Sequence, residues 1–478
     1  MFSPDEKRIL SWSWDGGARL WDAETGAQIG QTLQHKESIN GAIFSPDKNR
    51  ILSWSTDGST RLWDANTGTP VGQCMQHKDT VWGAVFAKNE KRILTWNADS
   101  TARLWNAETG ISIGKPMQHK KNVWGVTFSK DEKRILTWGE DGSARLWEAD
   151  TGIPFGQPMQ HKEGVKGAAF SSNEKRILTW SFDDMARLWD TDTGIPLGQP
   201  MQHKSAVEGA VFSSDETRIL TWSLDNTARL WDTDTGIPIG KPMQHKEIVQ
   251  GAMFTKNGKR ILTWSWDGSA RLWNTDTGST IGQPMQHKDR ITGAVFTKGE
   301  KYILTWSDDG SARLWDADNG TPIGQSMQHG ESVNGAVFSK DEKCILTLSG
   351  NVAGRPSSAR LWQTVTGIFI GQPMYHGGPV WGAVFSKDEK RILTWSDDGT
   401  ARLWHVPGDL DFPHDKYVLQ VQALTGTKFD PSTRQISTIP SNEWRRIQQE
   451  YLAFARAHAK TCQYKRQNVY LRFWGEGK

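Results

Sequence analysis

The tripeptide Arg-Leu-Trp recurs ten times in this chain, ending at Trp21, Trp63, Trp105, Trp147, Trp189, Trp231, Trp273, Trp315, Trp362 and Trp404. Eight of the nine intervals are 42 residues, and the one into Trp362 is 47. One such unit is too short to bury its own apolar residues, so successive units must stack and share a core. The period therefore decides the architecture before any propensity argument. Stacked repeats present a broad, rigid surface, which suits binding more often than catalysis.

The unit reads as four short strands. In the copy from Val81 to Lys120, Val81–Phe86 is rich in β-formers, and Lys88–Lys91 is a polar turn. Arg92–Asn97 forms a second strand. A tight turn at Asp99-Ser100 follows, and most other copies carry Asp-Gly there, a strong hairpin signal. Ala102–Trp105 is a third strand. Ile111–Gly114 begins a fourth, where Pro116 is tolerated because an outer strand need not donate every ladder bond. No stretch of the unit shows sustained helical periodicity.

Four antiparallel strands per 42 residues predict one blade of an all-β propeller per unit. Arg-Leu-Trp-Asp (Arg19–Asp22, Arg61–Asp64, Arg187–Asp190, Arg229–Asp232, Arg313–Asp316), one histidine per unit, and an Asp six residues before every Trp but Trp362 mark the chain. Over residues 1–404 it resembles the WD-repeat β-propeller family. The resemblance implies a hydrogen-bonded tetrad of His, Ser/Thr, Asp and Trp in each unit. These would be His77, Thr95, Asp99 and Trp105; His119, Thr137, Asp141 and Trp147; His203, Thr221, Asp225 and Trp231; and His287, Thr305, Asp309 and Trp315. A buried carboxylate needs donors, which His and a hydroxyl supply, and the indole N–H needs an acceptor. A His, a hydroxyl and an Asp also spell a catalytic triad. A set repeated in nearly every unit is scaffolding, however, since an enzyme needs one site. Nine histidines spread along such an array cannot share a metal. No catalytic residue, metal or cofactor is therefore expected.

The pattern breaks at both ends. Phe2-Ser3-Pro4-Asp5 aligns with Phe44-Ser45-Pro46-Asp47, so Met1 falls inside a first strand and that unit lacks its histidine. This reads as part of a longer array. Trp404 is followed by His405-Val406-Pro407-Gly408 instead of a fourth strand. Eight complete blades flanked by two defective ones could close as one large ring, form a ring plus an arc, or need further units. In the ninth unit Ser349–Ser358 is five residues longer than its counterparts, Asn351 stands for the tetrad Asp, and Leu348 replaces the second-strand Trp.

Because the copies are nearly identical, their variation is informative. The residue after the first-strand Val/Ile runs Asn40, Trp82, Trp124, Lys166, Glu208, Gln250, Thr292, Asn334, Trp381. Two residues earlier lies a second variable position, with Arg290 among its members. The residue before the tetrad Asp is a third, including Trp14, Phe182 and Trp266. In the family these positions surround the central channel on the face where partners dock. A binding surface tuned blade by blade on a constant scaffold is expected, with Trp82, Trp124 and Trp381 as aromatic anchors for a protein or peptide ligand. Two Gly-rich stretches, Gly110–Lys115 and Gly236–Lys241, imitate phosphate loops. Their spacing is wrong, and Pro116 or Pro242 stands where a hydroxyl is required.

Residues 405–478 carry no repeat. Asp415–Leu424 reads as a short helix or as a strand donated to the unfinished last blade. Ser441 reads as an N-cap with Glu443 in the first turn. Trp444, Ile447, Tyr451, Phe454 and Ala455 then share one face of a helix over 442–460. The Leu424–Thr427 and Glu443-Trp444 elements resemble tails that follow WD-repeat arrays in large bacterial signalling proteins. There an upstream nucleotide-binding or effector domain acts and the propeller senses. Lys465–Trp474 mixes basic and aromatic residues.

Charge is balanced, at 57 basic and 54 acidic residues, with 46 and 47 of them in 1–404. That argues against a nucleic-acid surface. The three scattered cysteines form no disulfide framework and favour a reducing cytoplasm. No apolar run approaches the ~18 residues of a membrane span, and no apolar signal region precedes the repeats. A cytoplasmic protein with no membrane or nucleic-acid partner is the expectation.

Overall fold

The computed structural model describes residues 1–350 and 357–406, and beyond them 416, 419, 422–423, 426–430 and 435–461. Each repeat becomes one antiparallel sheet. Blade 2 shows the pattern: β4 (Ile39–Phe44), β5 (Arg50–Ser55), β6 (Ser59–Asp64) and β7 (Pro70–Gln76) pair in chain order. Blades 3 to 9 repeat it from Val81 to His376. Blade 1 has three strands, β1 (Arg8–Trp12), β2 (Gly17–Asp22) and β3 (Gln28–Gln34), with its innermost position represented by one bridge, Phe2 to Ile9. Blade 10 has β36 (Val380–Phe385), β37 (Arg391–Ser396) and β38 (Ala401–His405), and among the described residues no fourth strand joins its sheet.

Each sheet is covered on both faces, which is why second strands carry consecutive buried residues such as Ile51, Leu52 and Ser53 rather than an alternation. The cores lie between blades. Leu52, Leu62 and Met75 of blade 2 pack with Ala84, Ile93 and Trp105 of blade 3. The same mixture recurs at the following blade pairs. The first-strand glycine has a packing reason. The second-strand indole lies flat on its Cα, so that a Cβ on Gly83 would stand 2.1 Å from Trp96. The hairpin before the third strand needs positive φ, and Gly58 supplies it at 77°.

The ring closes with ten blades. On the face opposite the histidine loops, a turn glutamate held at positive φ accepts a backbone N–H from the preceding blade, as Glu342 does from Lys298 at 2.5 Å. Glu6 of blade 1 accepts from Lys387 of blade 10 at the same 2.5 Å. The second-strand arginine reaches a carbonyl of the next blade, Arg8 to Ala65 at 2.8 Å and Arg260 to Ala317 at 2.7 Å. Arg391 makes the same bond to Ala23 at 2.7 Å. Ile9 and Ala23 share a core with Leu393. The seam therefore uses contacts of the kinds that join other blade pairs, although it has no tetrad histidine, and the ten blades form one ring.

Beyond the propeller, β39 (Thr427–Asp430) and β40 (Gln435–Thr438) form a hairpin that precedes α1 (Ser441–Thr461). Trp444 N–H bonds the Pro440 carbonyl at 2.8 Å, so the helix starts one residue before 442 and Pro440, not Ser441, takes the capping position. Ile447, Tyr451 and Ala455 bury one face against Ala423 and Ile439, with Trp444 and Phe454 alongside. Most of Asp415–Leu424 and all of Lys465–Trp474 lie outside the described residues, as does Asn351.

Candidate functional site

The tetrad residues come together in the blades. In blade 6, Thr221 Oγ1 accepts from Trp231 Nε1 at 2.8 Å and lies 2.7 Å from His203 Nε2, while His203 Nδ1 lies 3.0 Å from Asp225. The sets His119–Thr137–Asp141–Trp147 and His287–Thr305–Asp309–Trp315 share this geometry. His77 meets Thr95 at 2.6 Å but stands 3.5 Å from Asp99. Burial pushes the Asp225 carboxyl up, yet hydrogen bonds from His203, Thr227 and the Lys204 amide outweigh it and hold it well below the usual carboxylate range. Each histidine belongs to the outer-strand side of one blade and its Asp, Thr and Trp to the next, so the network ties blades together. In blade 9, His329 keeps Thr347 at 2.6 Å, but its Nδ1 has no hydrogen-bond partner among the described residues. Burial and then Arg360 lower it to about 3.

The three variable positions converge on the face that carries the hairpin turns. Trp14, Trp82 and Trp381 are 79%, 52% and 64% exposed, and Trp124 and Phe182 also reach solvent. Trp124 of blade 4 meets Phe182 of blade 5 edge-on at 5.8 Å. It rests over Gly164, where a Cβ would come within 2.6 Å of its ring. Trp381 donates its indole N–H to Asp397 at 3.2 Å. In blade 7, Trp266 donates to Gln250 at 2.9 Å, and the Arg290 guanidinium of blade 8 stacks 4.4 Å above it. Lys166 of blade 5 pairs with Glu208 of blade 6 at 2.6 Å and lies 4.7 Å over Phe182. Aromatic anchors thus occupy blades 10, 1, 3, 4 and 5, and a charged and polar arc continues through blade 8.

Three of the variable residues are engaged elsewhere. Asn40 donates to the Val81 carbonyl of the next blade at 2.9 Å, and Thr292 to that of Val333 at 3.1 Å. Asn334 is hydrogen-bonded to the Gly350 carbonyl of its own blade. These side chains tie backbone segments near the channel and are less available to a ligand. Gly164 belongs to the second variable series, but its role as the seat of Trp124 was not legible. Its signal is a glycine at a position where every other copy carries a side chain, beside a blade whose inner strand offers Trp.

A family model described as the IFT122 first β-propeller matches residues 80–352. The chain belongs to that family. The model for the WD domain, G-beta repeat, matches residues 27–64 and 370–405 on either side. Among solved structures the chain is similar to the computationally designed Ika8 protein, with 20% identity over 69% of this chain and 97% of that one and a TM-score of 0.49. No curated protein matches it.

A WD-repeat propeller is in general a protein-interaction module, and typically a non-enzymatic one. In this WD-repeat propeller the two stretches that imitate phosphate loops fall at outer strands, Ser112–Gln118 and Pro238–Gln244. No helix among the described residues is long and apolar enough to cross a membrane. Among those residues no group of three or more His, Cys, Asp or Glu could hold a metal.

Proposed function

We propose that the propeller binds a protein or peptide on the face carrying Trp14, Trp82, Trp124, Phe182 and Trp381. What supports this reading is the coincidence of large exposed aromatic rings with the positions at which otherwise uniform copies differ. An exposed indole costs the monomer favourable burial and is repaid when a partner covers it. The polar arc of Lys166, Glu208, Gln250, Trp266 and Arg290 sets orientation, since its charges are already held by neighbours and need little ordering.

Removing anchors should weaken binding far more than it weakens the fold. Peptides selected from a displayed library against the intact chain should lose about 30-fold in affinity, near 2 kcal/mol, with Trp82→Ala or Trp381→Ala. Unfolding transitions should stay unchanged, because these rings contact solvent. Selected peptides that bind the triple variant Trp82→Ala, Trp124→Ala, Trp381→Ala as tightly as wild type would sink the proposal.

Two settings fit such a module. The tail resemblance supports a role as the sensing portion of a cytoplasmic signalling protein. Closure of the ring from its own contacts supports a free-standing scaffold for several partners. The described cysteines, exposed Cys74 and buried Cys344, are unpaired, in keeping with a reducing compartment.

A further inference from the structure

Two bonds recur between successive blades on the outer rim and at the turns opposite the histidine loops. On the rim, the Gln73 amide of blade 2 donates to the Thr109 carbonyl of blade 3 at 2.8 Å, and the equivalent bond leaves blades 3, 4, 5, 7 and 8 at 2.8 to 3.1 Å. At the turns, the glutamate clasp joins blade 2 to 3 through Glu90, blade 5 to 6 through Glu216 and blade 7 to 8 through Glu300. Its acceptor is charged, which makes it the stronger of the two bonds. Among the described residues, two seams lack both bonds: blades 6 and 7, and blades 1 and 2.

At the seam of blades 6 and 7, Gly258 stands where eight other blades carry the glutamate, so the Ser214 amide has no carboxylate to meet. The rim there is open as well. A Cβ on Gly236, between blades 5 and 6, would collide with the Gln199 carbonyl, whereas on Gly278 its nearest neighbour is the Lys241 nitrogen at 3.9 Å. What still crosses is the pair of Arg218 with exposed Asp276 at 2.8 Å, and the Ser214 hydroxyl, which donates to the Lys256 carbonyl at 3.2 Å. At the seam of blades 1 and 2, Lys48 replaces the glutamate and Pro4 has no N–H to offer. Proline alone does not remove the clasp, since Pro46 holds the same place in blade 2 and the Asp47 amide reaches Glu90 at 2.9 Å. Loss of the glutamate does. A partly exposed Lys48–Asp5 pair at 3.1 Å stands in its place, and such pairs hold weakly. Arg8 still reaches the Ala65 and Lys48 carbonyls.

Inside, both seams are intact. Leu230 and Met243 pack with Ile261 and Trp273, and Leu20 and Leu33 with Ile51 and Trp63. A joint with a packed core and an unbonded rim bends without parting. The two seams lie five blades apart whichever way the ring is counted. A closed ring cannot bend at one joint, but it can at two opposed ones. We infer that the propeller is two rigid halves, blades 2–6 and blades 7–1, hinged along this line, and that a partner held by both halves sets the angle between them. The second clause rests on the binding face proposed above. Trp82, Trp124 and Phe182 stand on the first half, and Trp14, Trp266 and Trp381 on the second. A ligand that touches both sets favours one angle by its differential affinity.

Spin labels on exposed cysteines turn the angle into a distance. In a Cys74→Ser, Cys462→Ser background of the full chain, Gln157→Cys in blade 4 and Gln372→Cys in blade 9 span the hinge, and Gln73→Cys in blade 2 and Gln199→Cys in blade 5 lie within one half. The spanning pair should give a broad distance distribution and the inner pair a narrow one. Gly258→Glu returns a carboxylate to the Ser214 amide, at a turn whose φ of 68° is close to the 55–59° of the glutamates elsewhere. It should about halve the spanning width and leave the inner pair unchanged. Equal widths for the two pairs, or a spanning width that Gly258→Glu does not change, would overturn the hinge. A peptide selected on the anchor face should narrow the spanning distribution too. One whose affinity depends on both Trp82 and Trp381 yet leaves that width unchanged would overturn the coupling. If no selected peptide depends on those anchors, the binding reading and the coupling fall together, and the label widths still decide the hinge.

Discussion

Acidification from pH 6.5 towards pH 3 should cost the folded propeller several kcal/mol, most of it through histidines that never touch solvent. Burial is the largest cause at both extremes. It lowers His35 to about 4 against the pull of Asp57, and His329 to about 3, where Arg360 adds to it and no carboxylate opposes it. His77, His287 and His376 are lowered by burial as well. The sign follows from where the protons go. In the unfolded chain these imidazoles take up protons as pH falls through 6.5, and in the folded ring they do not, so the unfolded state gains. The stability is whole above 6.5 and is lost progressively until the folded value is reached. At ~1.4 kcal/mol per unit, His35 accounts for about 3 kcal/mol and His329 for about 5 kcal/mol. The tetrad aspartates, depressed in the folded state, then add their own loss below the ordinary carboxylate value of 3.8. Urea unfolding at several pH values checks this. His329→Gln should make the decline visibly shallower, and a profile flat between pH 6.5 and 4 would refute it.

The second large effect is a matched pair of glycines. Gly209→Ala should destabilise by about 2–3 kcal/mol, because its Cβ would stand 2.0 Å from Trp222 Cζ2 in a ring packed between two blades. Gly335→Ala, at the same repeat position, should be neutral within ~0.5 kcal/mol or slightly stabilising. There the facing residue is Leu348, and the nearest atom to the new Cβ is 3.5 Å away. Thermal unfolding of the two variants decides it. Equal losses would mean that the cost lies in the strand backbone and not in the indole.

The contrast between these glycines shows how far a sequence of repeats can be read. Leu348 stands out in the sequence as a departure from the tryptophan of the other copies. What it departs from, an indole lying on a glycine across the sheet, is a contact between two strands and has no signature in either one alone. The same holds for the turn glutamates. Their recurrence is plain, but their use as clasps on the preceding blade depends on a positive φ that a sequence pattern does not report. Gly164 under Trp124 belongs to the same class.

The period of 42, the Arg-Leu-Trp-Asp turns and the one histidine per unit determined the all-β propeller and its blade pattern. They could do so because each is local: strand length, turn chemistry and side-chain alternation are properties of consecutive residues. Tertiary structure alone decided that ten blades close. Closure depends on the angle between neighbouring sheets, which the packing of Ile, Trp, Leu and Met between blades sets, and a small angle summed around the ring is not written in any one unit. It alone decided, too, that Asn40 and Thr292 turn to neighbouring backbone while Trp14, Trp82 and Trp381 stay in solvent. Those outcomes depend on what stands across from each residue in the adjacent blade, at a distance that sequence spacing does not measure.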